Sequence, residues 1–244
     1  MENLISVVIP VYNSERSLDM LCRRLDRVLC RRDGDYEIIL VDDGSSDESY
    51  GEMCRLHECD KRVKAIRLKG NYGQQNAVMC GLNFSRGDCV ITMDDDLQHP
   101  PEELEKLLNK LDEGYDIVYG IPDEIMYPSY RRLGVKVRDL LFERMPGKPP
   151  GIKVSSFRVM KRWLVREIIK DKSHFVYISA LIFKRAVNAV NISVRYDARK
   201  YGASNYNLVK LAILFFKLFI NYSLPVTLFK ASKQPQFEVG EMKF

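Results

Sequence analysis

Residues 91–101 read ITMDDDLQHPP: an apolar run, Ile91-Thr92-Met93, passes straight into Asp94-Asp95-Asp96 and is stopped by Pro100 and Pro101. A β-branched run that ends this way is the end of a buried strand. Three successive carboxylates there repel one another unless they are protonated, hydrogen-bonded or neutralised by a cation. The stretch predicts a place for something positive at the carboxyl end of a strand.

Working outward, ISVVI (5–9), YEIILV (36–41), VKAIRL (63–68), CVITM (89–93) and DIVYG (116–120) read as further strands. Amphipathic segments lie between them. The first carries Leu18, Leu21, Cys22, Leu25, Val28 and Leu29 on one helical face, and Pro101 opens another helix where its missing N–H does no harm. The series is βαβ, so the fold class is α/β with a mostly parallel, Rossmann-like sheet flanked by helices.

In such sheets ligands bind beyond the carboxyl ends of the strands, and PVYNSE (10–15), DDGSSD (42–47) and DDDLQ (94–98) fall at three of those ends. Neither GxGxxG nor GxxxxGK[ST] occurs, so a nucleotide is held by other means. Asp94 and Asp96 can clamp Mg²⁺ or Mn²⁺ beside substrate phosphates, with Gln98 adding a neutral oxygen; a plain helix-capping turn would need one aspartate, not three. Asp42 and Asp43 precede any cap that Ser46 or Asp47 provides, and can accept hydrogen bonds from a base edge or ribose hydroxyls.

Composition bounds the rest. The 244 residues carry 38 Lys and Arg against 33 Asp and Glu, a net charge of +5 that calls for no nucleic acid, yet Arg131, Arg132, Lys136, Arg138, Arg144, Lys148 and Lys153 crowd one region suited to phosphates or anionic lipid. Six cysteines without a CxxC and without a preceding secretory signal fit a reduced, cytoplasmic setting. Cys54, His57 and Cys59 read as an ordinary surface helix rather than a metal site, having no second pair. Past residue 125 the strand alternation decays into helical and irregular segments. Residues 207–224, NLVKLAILFFKLFINYSL, put Lys210, Lys217 and Asn221 on one narrow stripe of an otherwise apolar helix, which reads as interfacial rather than spanning. The expected division is a catalytic domain over 1–205, an amphipathic interfacial region over 206–230 and a polar, loosely attached tail over 231–244.

VVIPVYNSE (7–15), VDDGSSD (41–47) and MDDDLQHPPE (93–102), in this order and spacing, resemble the family 2 glycosyltransferases. Further stretches, NYGQQNAVMCGL (71–82) and ARKYGASNY (198–206), resemble the polyprenyl-phosphate branch of that family. The resemblance implies the GT-A nucleotide-diphospho-sugar transferase fold and a metal-dependent, inverting transfer from a nucleotide sugar (UDP-, GDP- or dTDP-linked) to a polyprenyl phosphate on the inner face of a membrane. It implies that Pro10, Tyr12, Glu15, Asp42, Asp43, Asn71, Gln75 and Asp95 bind the nucleotide sugar, and that Asp94, Asp96 and Gln98 ligate the metal. Asp94, Asp96 and Arg199 would act catalytically, and Arg131, Arg132, Arg138 and Ser204 would meet the acceptor phosphate. Gly70, Ile121-Pro122, Ser156 and Asn205 depart from the branch pattern, which has arginine, an arginine-bearing stretch, aspartate and lysine there. With no spanning helix in the sequence, the 207–224 segment, a homo-oligomer or a separate membrane subunit would bring the site to the bilayer. Two other readings stay open: transfer to a saccharide hydroxyl for surface polysaccharide, and a non-catalytic nucleotide-sugar-binding subunit.

Overall fold

β1 (Ile5–Val11), β2 (Tyr36–Asp42), β3 (Val63–Leu68) and β4 (Cys89–Thr92) form where the β-branched runs place them, and β1 pairs in parallel with β2 on one side and β4 on the other. The structure is a computed structural model that describes residues 4–32, 34–122, 147–173, 176–197 and 236–244. The register sets Val11 opposite Asp42 and Val8 opposite Thr92, so the three polar stretches leave the sheet side by side.

Alternation along the strands sorts side chains to two faces. Val7, Ile9, Val11, Ile38, Leu40 and Ile91 join one core with helices α1 (Glu15–Leu29), α2 (Ser49–Cys59) and α4 (Leu104–Asp112). Val8, Ile39, Val41, Ile66 and Val90 join the other, with α3 (Gln74–Phe84), α5 (Arg162–Ile168) and α6 (Ile178–Phe183). The α1 face buries Leu18, Leu21, Cys22, Leu25 and Leu29 as its periodicity predicts. Pro101 opens a 3₁₀ turn, Pro101–Glu103, that runs into α4. On the opposite face α3 lies so close to β1 that a Cβ on Gly81 would meet Val8 Cγ1 at 2.3 Å. Only glycine fits that approach.

The second half is more ordered into strands than its composition predicts. β5 (Ile117–Pro122) is parallel to β7 (Ala189–Val194), and β6 (Arg158–Lys161) inserts antiparallel between β5 and β4. The four-residue β6 is too short, and too charged at both ends, to show a period of two in the sequence. β8 (Val239–Lys243) lies in the stretch expected to be a loose tail and pairs antiparallel with β3, giving the order β7-β5-β6-β4-β1-β2-β3-β8. Backbone pairing with an otherwise open sheet edge holds this polar segment, which its side chains alone do not advertise. His57 corrects the surface-helix reading of α2: it is buried, with Nδ1 2.7 Å from the Val63 carbonyl oxygen. Among the described residues no helix is long and apolar enough to cross a membrane. The 207–224 segment lies outside them.

Candidate active site

The loops after β1 and β2 are knitted together before they present anything to a ligand. Asn13 takes the left-handed conformation, φ 53°, donates its N–H to Ser45 Oγ at 2.9 Å and accepts from the Ser46 N–H at 2.8 Å. Asparagine tolerates that conformation because its short amide bonds the local backbone. Glu15 Oε2 accepts the Glu48 N–H at 3.1 Å, next to the start of α2, which gives this carboxylate a loop-bridging part. Gly44, φ 72°, lets the DDGSSD turn pass the 70–71 backbone, since a Cβ there would lie 2.7 Å from Gly70 C. Pro10 is buried in β1, Tyr12 is exposed at the strand end, and Asn71 is exposed.

The two aspartates of the turn do different things. Asp42 is fully buried; its Oδ1 accepts the Ser45 N–H at 3.0 Å, while Oδ2 has no hydrogen-bond partner among the described residues, with Arg67 Nε 3.4 Å away. Asp43 accepts the Tyr72 and Gly73 N–H groups at 2.7 and 2.9 Å and so fastens the segment that leads into α3. Burial pushes its carboxyl up to about 6, against the pull of those two N–H donors and with a push from Asp42.

Beyond β4, Asp94, Asp95 and Asp96 diverge. Asp95 Oδ2 turns back to the Tyr12 N–H at 3.1 Å, and burial raises its carboxyl to about 7, countered by Ser14 and Tyr12 and reinforced by Asp94 and Asp96. Asp96 Oδ1 accepts the Gln98 N–H at 3.0 Å across Leu97, which is left-handed at φ 62°. The hydrogen bond linking Gln98 to Asp96 thus uses its backbone, and its carbonyl accepts the Asp197 N–H. Asp94 Oδ1 accepts from Gln74 Nε2 at 2.7 Å and Oδ2 from Ser156 Oγ at 2.9 Å, both neutral donors. His99 Nδ1 accepts the Asp94 N–H at 3.0 Å, a tautomer with the proton on Nε2, and the ring stacks on Phe157 with centroids 4.9 Å apart.

The three polar stretches therefore reach one end of the sheet, but their carboxylates do not pool. Among the described residues no three His, Cys, Asp or Glu side chains form a group able to hold a cation alone. Asp42, Asp43 and Asp95 are spent on the loops; Asp94 is left facing neutral donors. Asp94 with Asp96 two residues on fits a divalent ion that arrives with phosphate oxygens, because Mg²⁺ is commonly held by one or two carboxylates plus substrate phosphates.

Sequence reasoning named Gln75 and missed Gln74. Gln75 Oε1 accepts the Ile178 N–H at 3.1 Å, opening α6, whereas Gln74 reaches Asp94. Nothing in NYGQQNA distinguishes the two until the start of α3 is known. The part played by Ser156 was signalled only by its standing where an aspartate was expected. Arg131, Arg132, Arg138, Arg199 and Ser204 lie outside the described residues.

Residues 6–169 match the family model described as Glycosyl transferase family 2. An undecaprenyl-phosphate 4-deoxy-4-formamido-L-arabinose transferase from Klebsiella pneumoniae (strain 342) is 38% identical over 217 residues, covering 88% of this chain and 66% of the relative. A transferase of the same name from Klebsiella pneumoniae subsp. pneumoniae matches at the same identity and coverage. This chain thus spans just under two thirds of the length of these relatives. Among solved structures, glucosyl-3-phosphoglycerate synthase from Mycobacterium tuberculosis in complex with Mn²⁺, UDP-glucose and phosphoglyceric acid superposes with a TM-score of 0.62 at 19% identity, over 91% of this chain and 81% of that one. The likeness establishes a shared fold, an α/β sheet of the GT-A type.

Proposed function

Because this chain belongs to glycosyl transferase family 2, we propose that it moves a sugar from a nucleotide-sugar donor to a polyprenyl phosphate at the cytoplasmic face of a membrane, with Mg²⁺ or Mn²⁺ bound. The observation that carries the reading is Asp94: a carboxylate at the end of β4, beside Asp96, hydrogen-bonded by Gln74 and Ser156, with His99 Nε2 3.8 Å away and no Lys or Arg paired with it among the described residues. Asp94 and Asp96 would hold the metal. When bound, such an ion stabilises the charge that develops on the departing nucleoside diphosphate. The nucleoside would rest between Tyr12 and the Asp42-Asp43 turn, whose loops the Asn13, Ser45 and Ser46 hydrogen bonds hold in place.

The acceptor class is supported from two sides. Both matched relatives are named as undecaprenyl-phosphate sugar transferases. An alcohol acceptor needs a general base to take its proton, whereas a phosphate monoester, with a second pKa of about 6, is already anionic at neutral pH. A serine at 156, giving its proton to Asp94 rather than taking one, agrees with a phosphate acceptor. The domain division and the acceptor-phosphate roles of Arg131, Arg132, Arg138 and Ser204, with Arg199 over the donor phosphates, are part of the same proposal.

The test is transfer by purified protein with Mn²⁺, a panel of UDP-, GDP- and dTDP-sugars and a polyprenyl phosphate in detergent. A sugar-phosphate-polyprenyl product, lost on chelation, is expected. Transfer to a saccharide hydroxyl instead would overturn the acceptor assignment. Nucleotide-sugar binding with neither transfer nor hydrolysis would identify a binding subunit.

A further inference from the structure

Arg158 opens β6 in the interior of the sheet, opposite Thr92 of β4 on one side and Tyr119 of β5 on the other. It is 3% exposed. A guanidinium so placed is costly to desolvate and normally meets a carboxylate. Among the described residues none stands within 4.0 Å of it in an ion pair; Nε donates to Thr92 Oγ1 and Nη1 to Ser179 Oγ, each at 3.1 Å. Burial lowers its proton affinity; Tyr119, Tyr177 and Asp94 act against this, but a phenol, with an ordinary pKa of about 10, is uncharged at neutral pH, which leaves the charge to Asp94. Asp94 is the one carboxylate among these groups.

Two sets of hydrogen bonds that meet on Ser156, one at its carbonyl and one at its hydroxyl, join Arg158 to Asp94. Thr92 Oγ1 donates to the Ser156 carbonyl oxygen at 2.6 Å, and Ser156 Oγ donates to Asp94 Oδ2 at 2.9 Å. The direction of the path is dictated by chemistry. Arginine can only donate, so the Thr92 oxygen accepts from it and its proton must point onward; an ionised carboxylate can only accept, so the Ser156 proton must point to Asp94. The Ser156 backbone is held from one side and its hydroxyl is aimed from the other. The Thr92 hydroxyl, accepting from Arg158 and donating to the Ser156 carbonyl, is strengthened in both bonds; from Ser156 onward the influence on Asp94 is one of position, carried by the covalent frame of that residue.

We propose that Arg158 is a positioning residue for Asp94, acting from the core through Thr92 and Ser156 to aim the Asp94 carboxylate at the donor's metal-diphosphate group. The inference rests on the donor-binding role proposed for Asp94. Arg158 touches neither substrate nor metal; it restricts the β4–β6 junction so that the carboxylate needs no reorganisation when the donor arrives.

The experiment uses the full chain and measures binding of UDP, GDP and dTDP by calorimetry with Mn²⁺ and with chelator, alongside Tm. Thr92→Val keeps shape and breaks the path in the middle; Ser156→Ala breaks it at the end; Arg158→Lys keeps the charge and removes the fork. Thr92→Val and Ser156→Ala are each expected to weaken Mn²⁺-dependent binding about tenfold, the scale on which partners that orient metal ligands act. The double variant should lose no more than either alone, and binding in chelator should not change. Arg158→Lys should recover part of what Arg158→Gln loses. If Thr92→Val and Ser156→Ala act additively, or lower Tm while leaving the Mn²⁺ dependence untouched, Arg158 is a structural core group and the inference falls. Should no nucleotide bind the unaltered protein in an Mn²⁺-dependent way, the donor-binding role of Asp94 fails first and takes the inference with it.

Discussion

Gln74 Nε2 donates to Asp94 Oδ1 across 2.7 Å, tying the first residue of α3 to the end of β4. Both side chains face the proposed donor site, and the bond is charge-assisted, so its loss should be felt in binding rather than in folding. Gln74→Ala is expected to weaken Mn²⁺-dependent nucleotide binding by about 1 kcal/mol, with Tm almost unmoved. Calorimetry showing unaltered affinity would remove Gln74 from the site.

Asp96 shares its turn with two other carboxylates, and its Oδ1 accepts the Gln98 N–H. An asparagine can accept the same bond while relieving like-charge repulsion, so Asp96→Asn should fold normally. It should nonetheless lose metal-dependent nucleotide binding and sugar transfer. Full transfer by this variant in the presence of a chelator would refute a metal role for Asp96.

Asp43 provides a pH signature. Its folded-state carboxyl titrates at about 6 against an ordinary 3.8, raised chiefly by burial. A raised carboxyl favours the protonated folded state, so the stability it contributes is complete below about pH 4 and is lost as pH rises through about 6. Asp43→Asn cannot ionise and escapes that loss. The difference in stability, variant minus unaltered protein, should therefore move in the variant's favour by roughly 2–3 kcal/mol between pH 4 and pH 7. A difference that is flat across this range would show that Asp43 is not held in a desolvated setting.

The membrane prediction concerns residues outside the described ones. The sequence predicts an amphipathic helix over 207–224, in which Lys210, Lys217 and Asn221 would form the polar stripe and Phe215 and Phe219 would belong to the face that enters the bilayer surface. Replacing both phenylalanines with serine should release the protein from anionic liposomes and slow transfer to a long-chain polyprenyl phosphate, with nucleotide binding intact. If the change instead unfolds the protein or splits an oligomer while liposome association persists, the helix is an internal or subunit contact.

Strands β1 to β5 were legible from the sequence because each is a β-branched run between turn-forming residues, and the face of α1 was legible from its 3.6-residue period. The carboxyl-end position of Asp42, Asp43 and Asp94–Asp96 followed from the βαβ order alone. β6, β7 and β8 were not legible. β6 is short and partly charged, β7 is mostly half-buried, and β8 is polar and exposed, so each is held by pairing with a neighbouring strand rather than by its own pattern.

The residue types that could bind a metal and a nucleotide, and the end of the sheet at which they gather, were determined by the sequence, because local periodicity and chain order carry that information. Which aspartate faces the site and which is consumed by a loop was decided only in three dimensions. Asp95 turns back to Tyr12 and Asp43 fastens Tyr72 and Gly73, while Asp94 meets Gln74 and Ser156. These contacts join residues 20 to 83 positions apart, so they arise from strand register and helix placement. The buried Arg158 belongs to the same class: its meaning lies in a partner, Thr92, that strand pairing alone brings beside it.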